Sequence, residues 1–269
     1  INPNYTAADK VLSSIYNYRK EGEDHLNEMI NKANKLNLNP DEKISLYFSL
    51  GKAYEDLENY EEAFENYKLA NDNGLLNKSY DIEKDKKDLQ SIIEIFNKKK
   101  ILELNFKQNP SKQVIFICGM PRSGTTLLDS ILRSHSKIKV LEEVPILLNL
   151  RHEFFKTKNN NLINLLKITE SEKNFIRQNY LKKIISNKID EKKIIIDKLP
   201  LSIIELGFIK IIFPNSKIIL AMRHPCDVIT SCLFTSFKIN ESMINFLKIE
   251  DTINFYNCVF SLFEIYEKE

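Results

Sequence analysis

Cysteine is scarce and scattered: Cys118, Cys226, Cys232 and Cys258 are the only four, and no two form a C-x-x-C pair. That spacing argues against a disulfide framework or a zinc site and fits reduced, mostly buried thiols in a reducing compartment. Net charge is nearly absent, at +2 from 39 basic and 37 acidic residues. Bulk electrostatics therefore gives no reason to expect a nucleic-acid partner, and any anion site must be local. No apolar run approaches the length of a membrane span. No stretch has the form of a signal peptide, so the expected location is cytoplasmic. What is present, 43% hydrophobic and 28% charged residues over 269 positions, suits one large or two smaller globular domains. The chain begins at Ile1, and its last amphipathic segment, residues 260–266, simply stops; it reads as a fragment of a longer protein, cut at both ends.

Residues 1–107 carry helical signals only, whereas residues 113–269 alternate strands with helices. The polar, proline-containing join at 105–112 has the composition of a linker. Within the helical part, residues 44–77 carry the large and small positions of one tetratricopeptide repeat: Tyr47, Leu50, Gly51, Tyr54, Ala63, Tyr67 and Ala70. Small residues let two helices cross closely, and large ones fill the gap. Leu75 replaces the usual closing proline. A single repeat cannot bury its own faces and needs packed neighbours; a plain helical hairpin is the alternative. In the second part, apolar runs without alternation at 114–118, 193–197 and 217–222 predict strands buried on both faces. Helices are expected after them, at 125–134, 200–212 and 226–237, with a polar helix at about 171–188. The pattern is that of an α/β fold, a P-loop-type parallel sheet with helices on both faces, preceded by an all-α helical domain.

The most informative stretch is Cys118-Gly119-Met120-Pro121-Arg122-Ser123-Gly124-Thr125-Thr126, directly after the first apolar run. A strand that stops at a glycine, makes a tight loop and enters a helix aims free N–H groups at an anion. The spacing Gly119-x4-Gly124 matches a Walker A loop, but Thr125 stands where the lysine would be, and a cation, Arg122, sits inside the loop. The expected ligand is a phosphate-like anion. The last predicted strand runs into Arg223-His224-Pro225, and Ser231 follows two turns into the next helix; both can face one anion at the carboxyl edge of the sheet. Two phosphate sites on one rim fit a nucleotide phosphorylated at two places. Between them lie Glu142-Glu143 and Asp197-Lys198. A carboxylate there can take a proton from an acceptor hydroxyl, and Lys198 can stabilise charge on a transferred group; structural helix-end charges are the competing reading.

These motifs, in this order, together with Phe213-Pro214-Asn215-Ser216-Lys217, resemble the sulfotransferase superfamily. The similarity covers roughly residues 44–237 and is greatest to bacterial tetratricopeptide-repeat sulfotransferases with a tyrosylprotein-sulfotransferase-like catalytic part. The resemblance implies a cosubstrate, 3′-phosphoadenosine 5′-phosphosulfate (PAPS), and no metal. It implies that Arg122, Ser123, Gly124, Thr125 and Thr126 hold the 5′-phosphosulfate, and that Arg223 and Ser231 hold the 3′-phosphate. Glu143 is the implied general base, by its spacing from Arg122, and Lys198 the lysine near the sulfuryl group; Glu142 should point to the other side of the chain. His224 departs from the family's more usual acidic residue, and the family's later segment over the adenine has no counterpart here. The resemblance implies a hydroxyl or amine acceptor, which the sequence does not identify; the helical repeat only hints at a peptide or protein partner. Two other readings stand beside this one. A P-loop kinase or NTPase would use Asp197 as a Walker B carboxylate holding Mg²⁺, and a repeat-based binding module would carry a vestigial catalytic domain.

Overall fold

The structure is a computed structural model that describes residues 5–35, 37–76, 82–97, 114–159, 162–186 and 193–268. The linker expected at 105–112 lies outside them. In chain order the helical elements begin with α1 (Thr6–Ile15), α2 (Glu23–Lys35), α3 (Pro40–Asp56), α4 (Tyr60–Leu75) and α5 (Ile82–Asn97). There follow β1 (Val114–Gly119), α6 (Thr125–Arg133), β2 (Ile138–Glu142), α7 (Ile146–Lys156), α8 (Glu170–Ser186) and β3 (Ile194–Lys198). The chain continues through α9 (Leu206–Ile212), β4 (Lys217–Ala221), α10 (Pro225–Leu233) and α11 (Ile249–Lys268). Two compact units result: Ile1–Ile82 with Pro225–Phe255, and Glu83–His224 with Tyr256–Glu269.

In the first unit, α3 starts on a reciprocal cap. The Asn39 side chain accepts from the Glu42 N–H at 3.0 Å, and the Glu42 carboxylate accepts from the Asn39 N–H at 2.9 Å. Three residues join α3 to α4, so the two helices form an antiparallel hairpin. Tyr67 of α4 lies on Gly51 of α3 so closely that a Cβ at Gly51 would come within 2.7 Å of the ring. The Tyr67 hydroxyl donates to Glu55 at 2.8 Å. Beside this seam, Met29, Leu46, Leu50 and Ala53 bury a common core. A polar chain crosses it: Tyr18 Oη and His25 Nδ1 lie 2.7 Å apart, His25 Nε2 meets Asp9 at 3.2 Å, and Lys32 donates to the same carboxylate at 2.7 Å.

The second unit is built on a four-stranded, wholly parallel sheet in the order β2-β3-β1-β4. The strands run in register, with Glu142 beside Lys198 and Gly119 beside Ala221, so all four carboxyl ends open on one edge. On one face, Leu128 and Leu132 of α6 pack on Ile117, Val140 and Ile196. On the other, Phe116 meets Tyr180 of α8 and Phe213. The Phe96 ring of α5 sits directly over Gly207 of α9, where a Cβ would come within 2.0 Å of it.

The expected strands are β1, β3 and β4, and the short run 138–141 forms the fourth, β2. The helix expected at 200–212 is split. Residues 200–205 are a 3₁₀ turn, tightened by the Ser202 hydroxyl donating to the Leu199 carbonyl, and α9 begins only at Leu206. The helix expected at 226–237 ends at Leu233, where the Thr235 hydroxyl turns back to the Ser231 carbonyl. Residues 260–266 are the end of the twenty-residue α11.

Successive strand residues face opposite sides of a sheet, so Asp197 and Lys198 diverge. Asp197 is buried on the α8 side, where the Tyr180 hydroxyl donates to it at 2.7 Å. Burial lifts its carboxyl from the ordinary 3.8 to about 6, and the Tyr180 bond opposes that rise. Between those values the folded protein holds a proton that the unfolded chain has released, so this residue's contribution to stability falls as pH rises through about 4 to 6 and stays low above. Asp197→Asn, which can still accept from Tyr180, is therefore expected to raise stability at pH 7.5 by roughly 1–3 kcal/mol. Thermal melts should show the gain closing below about pH 4; a variant less stable than the parent at pH 7.5 would contradict it.

Candidate active site

The loop after β1 owes its shape to its two glycines. Gly119 has φ +154°, and a Cβ there would lie 2.6 Å from the Ala221 carbonyl oxygen and 2.8 Å from Ser123 Oγ. Gly124 has φ +99° and stands at the start of α6 with open space beside it, so only its conformation demands glycine. No side chain caps α6, which leaves the N–H groups of its first turn directed outward. Ser123 is buried, and its hydroxyl has no hydrogen-bond partner among the described residues. Such a group in native proteins calls for a ligand or water. Thr125 is buried beside it, while Arg122 and Thr126 are exposed. Arg122 takes a left-handed backbone, φ 67°, uncommon for a residue with a Cβ.

Arg223, two residues past β4, brings its Nη1 to 3.4 Å from the Arg122 carbonyl oxygen. The two arginines expected to bind anions thus share the carboxyl edge of the sheet, as the parallel register requires. Ser231 lies on α10, in the first unit.

The acid–base candidates meet one strand over. Lys198 ends β3 with its side chain fully buried. Its ammonium donates to Glu143 Oε1 at 2.8 Å, and lies 3.9 Å from Glu142 and 4.0 Å from Asp129. Glu143 is the first residue past β2; its backbone N–H continues the ladder to the Lys198 carbonyl at 2.8 Å, and its φ of 53° turns the half-exposed side chain back onto Lys198. Glu142 does not point to the other side of the chain. It accepts from Arg133 at 2.8 Å, and that bond holds its carboxyl below the ordinary range. The left-handed residue that follows breaks the strand's alternation, so both carboxylates reach the same cluster.

Asp129 and Arg133 completed this cluster without being anticipated. Arg133 grips both oxygens of the fully buried Asp129, at 3.1 and 2.6 Å, and bonds Glu142 with the same guanidinium. The signal available was an i,i+4 acid–base pair whose acid lies among the inward positions of α6. Asp197 stands apart from all of them, bonded to Tyr180 on the opposite face. A Walker B role would need its carboxylate at the loop.

The profile of the sulfotransferase family matches residues 114–263, more than half of the chain. An uncharacterized protein of Aquifex aeolicus is 32% identical over 221 residues, 76% of this chain and 28% of that protein. Protein-tyrosine sulfotransferase A of Caenorhabditis elegans is 28% identical over 142 residues, 49% of this chain and 37% of the relative. Human protein-tyrosine sulfotransferase 1 is 28% identical over 122 residues, 44% and 33%. The chain thus spans between about a quarter and two fifths of the length of these relatives. That profile match, over more than half of the chain and across the whole parallel sheet, makes this chain a member of the sulfotransferase family.

Proposed function

We propose that the protein transfers a sulfuryl group from PAPS to a hydroxyl or amine acceptor. The observation that carries this reading is one sheet edge holding both a loop with a buried, unpartnered Ser123 hydroxyl and the Lys198–Glu143 pair. The residues fit the cosubstrate, because the orphan hydroxyl, the uncapped helix start and the open space at Gly124 all suit an anion. Bound there, PAPS supplies an activated sulfuryl group. Arg122, Ser123, Gly124, Thr125 and Thr126 hold its 5′-phosphate side, and Arg223 with Ser231 hold the 3′-phosphate. Glu143 takes the acceptor's proton as the acceptor attacks in line, and Lys198 stabilises negative charge on the leaving phosphate. In the ligand-free protein Lys198 and Glu143 neutralise each other. An anion in the loop competes for the ammonium and frees Glu143 to act as a base.

The acceptor we propose is a peptide or protein, on the strength of the protein-tyrosine sulfotransferases among the relatives. We read α3 and α4 as a tetratricopeptide repeat at 44–77 that docks it. The close seating of Tyr67 on Gly51 supports that reading. On the same reading residues 1–107 are a helical domain and 113–269 the sulfotransferase part, a division of sequence that α5 and the 225–255 segment cross in packing.

Arg122→Ala should lose a charge-assisted contact of roughly 1.5–3 kcal/mol. Calorimetry should then find binding of the desulfated product PAP at least about tenfold weaker, with the melting temperature kept; unchanged affinity would remove the loop from the site. Glu143→Gln should slow sulfuryl transfer to tyrosine peptides by about 10²–10⁴-fold and leave PAP affinity nearly intact. Glu142→Gln should cost much less, since Glu142 is tied to Arg133. Equal, small losses in radiolabel transfer from the two variants would sink Glu143 as the base.

A further inference from the structure

The mechanism above gives Glu143 a proton and leaves a question of charge at Lys198. The ammonium is wholly buried, and its nearest partner is the residue whose negative charge disappears during the reaction. Among the described residues, the charged groups facing it are Asp129 from α6, Glu142 from the end of β2 and Glu143 just beyond. Arg133 stands behind Asp129 and Glu142, and Asp197 lies on the other face with Tyr180. Glu142 and Glu143 are each about half exposed; only Asp129 is as buried as Lys198 itself. Arg133 fixes its carboxylate by both oxygens, so it cannot swing away. A buried cation without a counter-charge is strongly disfavoured, and one whose counter-charge is fixed keeps its proton and its place.

We propose that Asp129, held by Arg133, is a positioning residue that keeps Lys198 cationic and in place while Glu143 gains the acceptor's proton. The inference rests on the reading of this edge as a PAPS site. The proton passes from acceptor oxygen or nitrogen to a Glu143 oxygen, and Lys198 neither gains nor loses one.

The test compares Asp129→Asn, which keeps the shape and can still accept from Arg133, with Arg133→Gln, which breaks the same ion pair but leaves the Asp129 charge. PAP affinity is measured by calorimetry from pH 6.5 to 9.5. Asp129→Asn should bind nearly as the parent does at pH 6.5 and lose on the order of tenfold more affinity by pH 9.5, because removing a neighbouring opposite charge disfavours a buried cation. Arg133→Gln should show a smaller change in the same direction, because the Asp129 charge remains but is no longer held. In turnover, Asp129→Asn should lower kcat, and its rate should fall off at lower pH than the parent's. An Asp129→Asn curve that matches the parent's, or a change in Arg133→Gln at least as large as that in Asp129→Asn, would make the pair an ordinary helix salt bridge and overturn the proposal. If Asp129→Asn does not fold, the double variant Asp129→Asn/Lys198→Met, which removes both charges, should; its failure to fold would overturn the argument as well. A parent protein that binds no PAP would instead defeat the PAPS reading, and this inference with it.

Discussion

Lys198 ends β3 with its side chain wholly out of reach of water. Taking an ammonium out of water is costly unless carboxylates meet it in good geometry, and much of the second unit is arranged to supply them. β2 must lie beside β3, so that Glu142 and Glu143 arrive level with the lysine. α6 must present Asp129 rather than another leucine toward the sheet. The chain must then turn through a left-handed residue at Glu143 to bring a second carboxylate within 2.8 Å. The loop after β1 depends on the same placement, because α6 begins where that loop ends.

How much of this was legible follows from the range of each interaction. β1 and β3 show as apolar runs without alternation because both faces of the sheet are covered there; β4 is an equally apolar run, but it is only partly buried along its length, against the expectation of a strand covered on both faces. The loop shows because its glycines and hydroxyls are adjacent in the chain. Glu143 and Lys198, 55 residues apart, were each visible as candidates, but nothing local says that they touch. Asp129 was hidden in plain view: an acid four residues before an arginine reads as a surface pair, and only the fold shows that the acid faces inward. α7 was missed because its first turn, Ile146-Leu147-Leu148, follows Pro145 in a stretch too short to show a helical period. Asp197 was misleading for the opposite reason. Its position after three isoleucines suits a Walker B strand, and strand alternation turns it toward Tyr180.

Both units also fix helix packing by seating an aromatic ring on a glycine: Tyr67 on Gly51 in the first, Phe96 on Gly207 in the second. The ring fills the space that a side chain would occupy, so the two backbones approach more closely than any larger residue would allow. Gly51 was legible as a small position of a repeat. Gly207 was not, because its partner lies more than a hundred residues earlier and on a different element.

Arg122 and Glu143 share one unusual property: both carry long side chains on left-handed backbone. Glycine would relax either turn, since the conformation costs an ordinary residue roughly 1 kcal/mol. On the proposed function, folding and chemistry therefore pull in opposite directions at two positions 21 residues apart. A library of variants sorted on thermal tolerance alone would drift toward glycine at both, and the most robust molecules it returned would be those with an empty site.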